Sequence, residues 1–564
     1  MTDKKAIRWL YGAANGYKVN MVLLLLLQML VNGGAVCYAL VMKKMVDSAV
    51  SGNRTDFIRG LITFGLLMAV LILLRILLRQ IEEATKSGLE SGLRKRLFEK
   101  LLSKDYAQVS AVHSEEWMNR MTSDTSVCAG GMTDIVPGFT GMLVRMVGAL
   151  GMMLVLQPGL AYLLVPGGIA FVGITLWLRK YLKGQHKRVQ EKDGAVRVYL
   201  QERISSMLIL RTFGVEQEAL KGADVELSEY RKARMRKTFV SNLCNSGFSV
   251  AINGMYLIGI GYCGFGIVNG VVSYGTLTAI IQLIGQLQAP LSGLSGFVPR
   301  FYACLASAER LMEAEEYKDA CRLQVLGLKE TKELYAERIR EIVFDKVSFD
   351  YDNGEAVLCD VGFSAYKGDF IAFTGASGCG KSTLLKLLMG VYEPKCGRIE
   401  VLLSNMERMP VASLKRLFAY VPQGNFLMGG TIREVITFGR EEAEQTMTVE
   451  RALKLSCGEF VSELPNGLDT VLGEKGAGLS EGQMQRIAIA RALYTDAPVL
   501  ILDEATSALD SDTEKALLYN LKQLTDKTVF IVTHRPEALN ICNRRLEFSD
   551  NGRVLQGLEV ADHG

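Results

Sequence analysis

Residues 375–383 read GASGCGKST; they follow the apolar run FIAFT and open the helix-like stretch KSTLLKLLMG. A strand, a glycine-rich loop and a helix in that order form the context of a phosphate-binding loop. Backbone N–H groups of Gly378 to Ser382, Cys379 and Gly380 included, can wrap phosphate oxygens, and the helix N-terminus adds a favourable dipole. Lys381 places a cation at the β- and γ-phosphates, and the Ser382 hydroxyl can ligate Mg²⁺. Further along, at 497–510, stands APVLILDEATSALD. Its VLILDE is a buried strand ending in two carboxylates that point to opposite faces and so cannot share one task. Asp503 suits the shell of a Mg²⁺ ion, and Glu504 suits polarising a water. Three more pieces fit phosphate hydrolysis. GLSEGQMQRIAIARAL (478–493) is a serine before a helix, a second anion-binding helix start. FIVTH (530–534) is a buried strand ending in His534, aimed at a γ-phosphate. VPQGNFLMGGTI (421–432) puts Gln423 just past a strand. Taken singly, Gln423 reads as a loop amide and His534 as a surface histidine.

The elements that must carry these groups fall into two textures. The 564 residues are 49% hydrophobic and 22% charged, with a mean hydropathy of +0.18, which fits an apolar part joined to an ordinary globular one. Apolar stretches long enough to cross a bilayer run at 19–41, 57–80, 137–157, 160–178, 240–268 and 276–298. The long connections near 82–128 and 179–237 are rich in Lys and Arg, whereas the turns at 157–159 and 269–275 hold neither. The positive-inside rule places the long loops, both termini and the polar half in the cytoplasm. Few prolines interrupt those loops, so the helices are expected to continue well beyond the lipid. KKAIRWLYG is basic and amphipathic and reads as a helix on the membrane surface. The organisation expected is a surface helix over 1–17, a six-helix domain over 18–305, a helical connector over 306–340 and an α/β nucleotide domain over 341–564. A net charge of +4 is too small to argue for nucleic acid, and the 11 cysteines show no CxxC pair and no metal-ligand spacing.

The motifs in order resemble the nucleotide-binding domain of an ABC transporter. GASGCGKST is similar to its Walker A, which brings Gly375, Ser377 and Thr383 into the nucleotide site. Gln423 matches the Q-loop, LSEGQ the signature, VLILDE the Walker B, SALD the D-loop and His534 the H-loop. Tyr351, in FDYDNG, matches the aromatic residue that stacks on adenine. GEKGAG (473–478) resembles the segment before the signature that touches the membrane domain in exporters. LRKRLFEKLLSKDYAQ and YLQERISSMLILRTFGVE resemble the two intracellular loops, so the resemblance spans the chain as an exporter-type half-transporter. It implies ATP and Mg²⁺ as cofactors, with Ser382, Gln423 and Asp503 at the metal. It implies Glu504, His534, Gln423 and Lys381 as catalytic groups. Ser480, Gly482 and Gln483 of one chain would then complete the site of the other. One departure is Glu481, which stands where the usual signature has glycine.

The resemblance implies export across the cell membrane by a dimer of half-transporters. The complete catalytic set favours a homodimer, and the altered signature keeps a heterodimer open. An importer sharing the fold and a non-pumping ATP-dependent regulator are the alternatives. The membrane half is rich in methionine, among them Met21, Met29, Met142, Met146, Met152 and Met153, which reads as packing or as an adaptable surface. Its substrate is not legible. Arg145 lies midway along the third apolar stretch with no acidic residue midway along any other, and Gln282 and Gln286 lie one turn apart on the sixth. All three are candidates for the cavity wall, and structural pairing is their other reading.

Overall fold

The structure is a computed structural model. It describes residues 2–320, 326–351, 356–424, 427–439, 447–473, 478–549 and 553–559, and for 2–3, 161, 163–183, 186, 244–245, 248, 289, 291–296, 298 and 555–559 the backbone rather than the side chains. The chain divides into two compact units: Met1–Leu102 with His113–Glu316, and Ser103–Val112 with Tyr317–Gly564.

The first unit is helical. After a short helix, Thr2–Ala13, come Lys18–Val50, Arg54–Ser103, Val136–Leu156, Pro158–Ser205, Glu216–Val268 and Tyr274–Glu316. Each apolar stretch lies in one of these helices. At 1.5 Å rise per residue, a helix of 53 residues is roughly 80 Å long, far more than the roughly 30 Å of a hydrocarbon core. Four segments of the described residues are long and apolar enough to cross a membrane: Asn15–Val50, Arg54–Ser103, Ser114–Leu156 and Ser249–Val268. The stretch 160–178 lies mostly among side chains outside the description, and 276–298 does so in part. Between Pro158–Ser205 and Glu216–Val268 sits the short helix Met207–Phe213, closed by Gly214 at φ +67°, where a side chain would be strained.

Polar side chains tie the helices of this unit to one another. Asp47 accepts from Gly275 N (2.8 Å) and Ser273 Oγ (3.0 Å). Arg96 forks onto Glu315 at 2.7 and 2.9 Å, and Trp9 Nε1 donates to the same carboxylate at 3.0 Å. Asp124, 2% exposed, accepts from Ser307 Oγ (2.8 Å) and from Arg310 Nε (2.9 Å) and Nη2 (2.5 Å).

The second unit is built on strands β1 (Ile339–Asp350), β2 (Ala356–Tyr366), β3 (Phe370–Gly375), β4 (Cys396–Leu403), β5 (Arg408–Pro410), β6 (Phe418–Val421), β7 (Gly430–Thr431), β8 (Val471–Leu472), β9 (Val499–Asp503), β10 (Thr528–Val532), β11 (Arg544–Phe548) and β12 (Val554–Glu559). The main sheet has the order β12-β11-β3-β10-β9-β6, parallel except for β12. Every residue of β9 and β10 is buried, as expected of strands covered on both faces. An antiparallel sheet, β2-β1-β4-β5, lies beside it, and β7 pairs with β8.

The stretch 306–340 is not one connector. Helix Tyr274–Glu316 runs on through it, with Ala308, Leu311 and Ala314 buried in the first unit. Helix Leu328–Glu337 belongs to the second, where the Tyr335 hydroxyl meets Thr528 Oγ1 at 2.7 Å. The second unit also takes in Ser103–Val112, from the first loop-like stretch. Ala320 N donates to Ser103 O and Asp105 N to Lys318 O, both at 2.9 Å. Lys104 pairs with Asp319 at 2.8 Å.

Removing the Asp124 carboxylate leaves the Arg310 guanidinium and the Ser307 hydroxyl without their acceptor. Arg310 is 45% exposed, so water recovers part of the loss, and Asp124→Ala should cost about 2 kcal/mol. Thermal unfolding of the purified protein should show a lower midpoint than wild type. An unchanged midpoint would mean that this tie contributes nothing.

Candidate nucleotide site

β3 runs into the loop 375–380, and helix Lys381–Leu388 starts at its end. Gly380 has φ +100°, and a Cβ there would meet Val357 O at 3.0 Å and Leu358 Cδ2 at 2.7 Å; only glycine lets the loop turn so close to β2. Ser377 and Gly378 are exposed at the loop tip. Lys381, 6% exposed, curls inward, and its Nζ donates to Gly375 O and Ala376 O at 2.7 Å each. Thr383 Oγ1 meets the Tyr351 hydroxyl at 2.9 Å. That bond fixes the Tyr351 ring beside Phe349 and Tyr392, at 5.1 and 5.8 Å between centroids.

The parallel sheet brings the distant motifs to this loop. Ser382 Oγ donates to Asp503 Oδ1 at 3.2 Å, across 121 residues of chain. Tyr420 OH, from β6, donates to the other carboxylate oxygen at 3.2 Å. Burial pushes the Asp503 carboxyl above the usual carboxylate range, the Ser382 and Tyr420 hydrogen bonds pull it back, and the charge of Glu504 pushes it up again. Burial, then the Asp503 charge, raises the Tyr420 phenol. Glu504 leaves β9 at φ +50°, an uncommon region for a residue with a side chain. Its N–H donates to Val532 O at 3.0 Å, so the turn is locked to β10. Gln423 Nε2 donates to Glu504 Oε2 at 2.7 Å. His534 is exposed, two residues beyond the end of β10.

Ser480 caps helix Glu481–Tyr494. Its Oγ accepts from Gln483 N at 3.2 Å while its N–H donates to Gln483 Oε1 at 2.9 Å. The Gln483 amide is thus a helix cap as well as a signature residue. Glu481 is exposed in the first turn, where a carboxylate is favoured by the helix dipole. Of the GEKGAG segment, 474–477 lie outside the described residues. In the membrane unit Arg145 Nε is buried without a hydrogen-bond partner among the described residues, and so is Gln286 Oε1. Gln286 Nε2 donates to Ala35 O at 2.6 Å, and Gln282 is half-buried one turn earlier. Met146 and Met152 pack on the apolar cluster around Met153 and Ile284; Met29 is exposed.

Tyr420, Gln485 and Arg535 are site neighbours that the motifs do not name. The signal for Tyr420 was available: FAYV is a strand ending two residues before Gln423, so its tyrosine shares the sheet edge. Gln485 and Arg535 follow motif residues by two and one positions, but no spacing rule says what they touch.

A phosphate loop at a parallel sheet edge, an acidic strand end and an amide on its carboxylate define a P-loop ATPase, here joined to a unit of membrane-length helices. Residues 21–291 match the family described as ABC transporter transmembrane region, and residues 358–507 match the family described as ABC transporter. An uncharacterized ABC transporter ATP-binding protein, YwjA of Bacillus subtilis, is 31% identical over 426 residues, 74% of this chain and 72% of that protein. The ATP-dependent lipid A-core flippase of Legionella pneumophila is 31% identical over 454 residues, 78% and 74% of the two chains. The solved structure of a bacterial Atm1-family ABC exporter with ATP bound has the same fold, with a TM-score of 0.78 at 22% identity over 96% of this chain and 95% of that one. The chain belongs to the ABC transporter family, as an exporter-type half-transporter in which transport is coupled to an ATPase.

The phosphate loop's own cysteine, Cys379, is 5% exposed. Cys379 packs into the core with Ile371 and Leu384, and its part in the loop falls to the backbone. Maleimide treatment of the folded protein should label exposed Cys396 well before Cys379 and spare the ATPase. Rapid labelling at Cys379, mapped by mass spectrometry, would contradict this packing.

Proposed function

We propose that this chain exports a small or amphipathic substrate across the cell membrane by alternating access, as one half of a dimer, with the nucleotide unit and both termini in the cytoplasm. The observation that carries the reading is the bond from Gln423 Nε2 to Glu504 Oε2 beside the Ser382–Asp503 pair. It joins the Gln423 amide to the carboxylate that follows Asp503 in the chain, as fits a hydrolytic group beside a cation site. Ser382, Asp503 and the amide oxygen of Gln423 are the hard oxygen donors that Mg²⁺ prefers, and Mg²⁺ bound there would neutralise phosphate charge. Lys381 and the loop N–H groups hold ATP phosphates, and Tyr351 stacks on the adenine. Glu504 accepts a hydrogen bond from the attacking water while Gln423 holds its carboxylate, and His534 donates to the γ-phosphate.

Two features support the dimer. Ser480 bonds only within its own helix cap among the described residues, as fits a signature that serves a second chain. Helix Met207–Phe213 has no buried residue, with Leu208 80% and Phe213 75% exposed, apolar surface that a second copy would cover. The full catalytic set favours two identical chains. Purification without a second polypeptide tests that, and uptake of substrate into inverted vesicles separates export from import.

In the membrane unit, Arg145 is read as the group that holds an anionic or carbonyl-bearing part of the substrate. A guanidinium at that depth costs at least about 2.5 kcal/mol, and its Nε has no partner among the described residues to offset this. The Gln286 carbonyl oxygen, likewise unpartnered, is a second polar point on the cavity wall, and Gln282 a third.

Two measurements check this reading. Glu504→Gln keeps the shape of the side chain but cannot take a proton, so hydrolysis should fall by about a hundredfold or more while ATP still binds and the closed dimer accumulates. Normal turnover would remove Glu504 from its role. Arg145→Ala should lose stimulation of its own ATPase rate by anionic amphiphiles while keeping any response to neutral ones of equal chain length. Equal loss for both would make Arg145 a structural residue.

A further inference from the structure

Cys128 and Cys304 meet in the membrane unit, where helix Thr125–Gly130 packs on helix Tyr274–Glu316, 176 residues apart in the chain. They are 0% and 5% exposed. Cys128 Sγ lies 3.8 Å from Cys304 O, and Cys304 Sγ lies 4.0 Å from Cys128 O. The two side chains thus face each other reciprocally, and the thiols are close enough to hydrogen-bond to one another. Gly131 makes the approach possible. A Cβ there would stand 2.3 Å from Cys304 Sγ and 2.8 Å from Cys304 Cβ.

The next turn fixes the register. Asp124, one turn before Cys128, accepts from Ser307 and Arg310, which follow Cys304 on its own helix. Residues three or four apart share a helix face, so the clasp that holds the two helices also sets the two sulfurs opposite each other. Both backbones are irregular beside the pair. The π-helical turns Arg120–Asp124 and Gly131–Ile135 flank the Cys128 helix, and Pro299 interrupts the other helix just before Cys304. Turns of this kind recur at functional positions. One buried cysteine is a small apolar side chain and needs no explanation. Two that touch across a helix contact need only side-chain rotation to form a bond.

We propose that Cys128 and Cys304 are a modification site: hydrogen peroxide joins them in a disulfide that locks the two helices together and slows the ATPase cycle. Cys304, the more exposed of the two, reacts first. Its thiolate attacks the peroxide O–O bond and becomes a sulfenic acid, and the departing hydroxide takes up the thiol proton as water. The Cys128 sulfur then attacks the sulfenic sulfur. The S–S bond forms, the S–O bond breaks, and a second water leaves with the Cys128 proton. The two thiols have lost two electrons and two protons, and the peroxide has become two waters. Peroxide is little larger than water, whereas a maleimide is not, so burial admits the first and bars the second. The lock rests on the reading that movement of the membrane helices accompanies turnover; the bond itself does not.

The test uses the purified full-length protein, with accessible thiols first capped by N-ethylmaleimide and hydrogen peroxide then added. After denaturation in iodoacetamide and digestion, mass spectrometry should find the peptides of Cys128 and Cys304 joined, two hydrogens lighter than the separate pair. The ATPase rate should fall by about tenfold, and dithiothreitol should restore it. Cys128→Ala and Cys304→Ala should each keep the untreated rate within about twofold and lose the response to peroxide. If one variant does not fold the other serves, and the linked peptide of the wild type needs neither. Absence of that peptide after oxidation overturns the site and leaves the transport reading untouched. A linked peptide with an undiminished rate overturns the lock. So does equal inhibition of wild type and variants, which would place the loss at another thiol such as buried Cys379.

Discussion

The carboxylate of Asp503 is where the second unit converges. One oxygen takes the Ser382 hydroxyl from the phosphate loop and the other takes the Tyr420 phenol from β6. A buried acid cannot be left unpaired, and each of its partners sits on a different strand or loop of one sheet. The order β3-β10-β9-β6 makes this possible. Parallel strands end at the same edge, so the loops that follow them share a crevice. The phosphate loop after β3, His534 after β10, Glu504 after β9 and Gln423 after β6 lie along that edge in strand order.

Glu504 shows how closely the edge is held. Its backbone is in the left-handed region at φ +50°, which a side chain tolerates only when its surroundings over-determine it. Here they do so through the Val532 carbonyl on one side, Ser507 N on its own carbonyl, and Gln423 on its side chain. The Glu504 carboxylate is held by the Gln423 amide, while that of Asp503 takes the Ser382 and Tyr420 hydroxyls. Two adjacent acids thereby sit in different surroundings. Asp503 is buried and hydrogen-bonded by hydroxyls, and Glu504 is half-buried and held by an amide.

The membrane unit follows the opposite rule. Its polar ties, Asp47, Asp124 and the Arg96–Glu315 fork, are few and each is paired. Between them the helices pack through apolar side chains such as Leu283, Ile284 and Met153. Arg145 and Gln286 break that rule, each with a buried polar atom unpartnered among the described residues.

Much of this was legible in the sequence because it is local. A run of apolar residues of bilayer length is its own signal, and all six stretches lie in helices. The phosphate loop is a single turn whose glycines are required by its own backbone. VLILD and TVFIV read as buried strands because both their faces are covered. Contacts between distant stretches were not legible. Nothing in FAYV says that Tyr420 faces Asp503, nothing in MQRIA that Gln485 carries Ala508 N–H, and nothing in THRP that Arg535 grips two carbonyls and Glu514. Nor does GASGCGKST say that Cys379 lies in the core with Ile371 and Leu384. The connector looked uniform because its charges are evenly spread, while buried Leu311 and Tyr335 assign its halves to different units. Residue type and period determine which elements form and which groups have the chemistry. Which groups meet is decided by strand order and packing, because a hydrogen bond across 121 residues leaves no periodic trace in the chain.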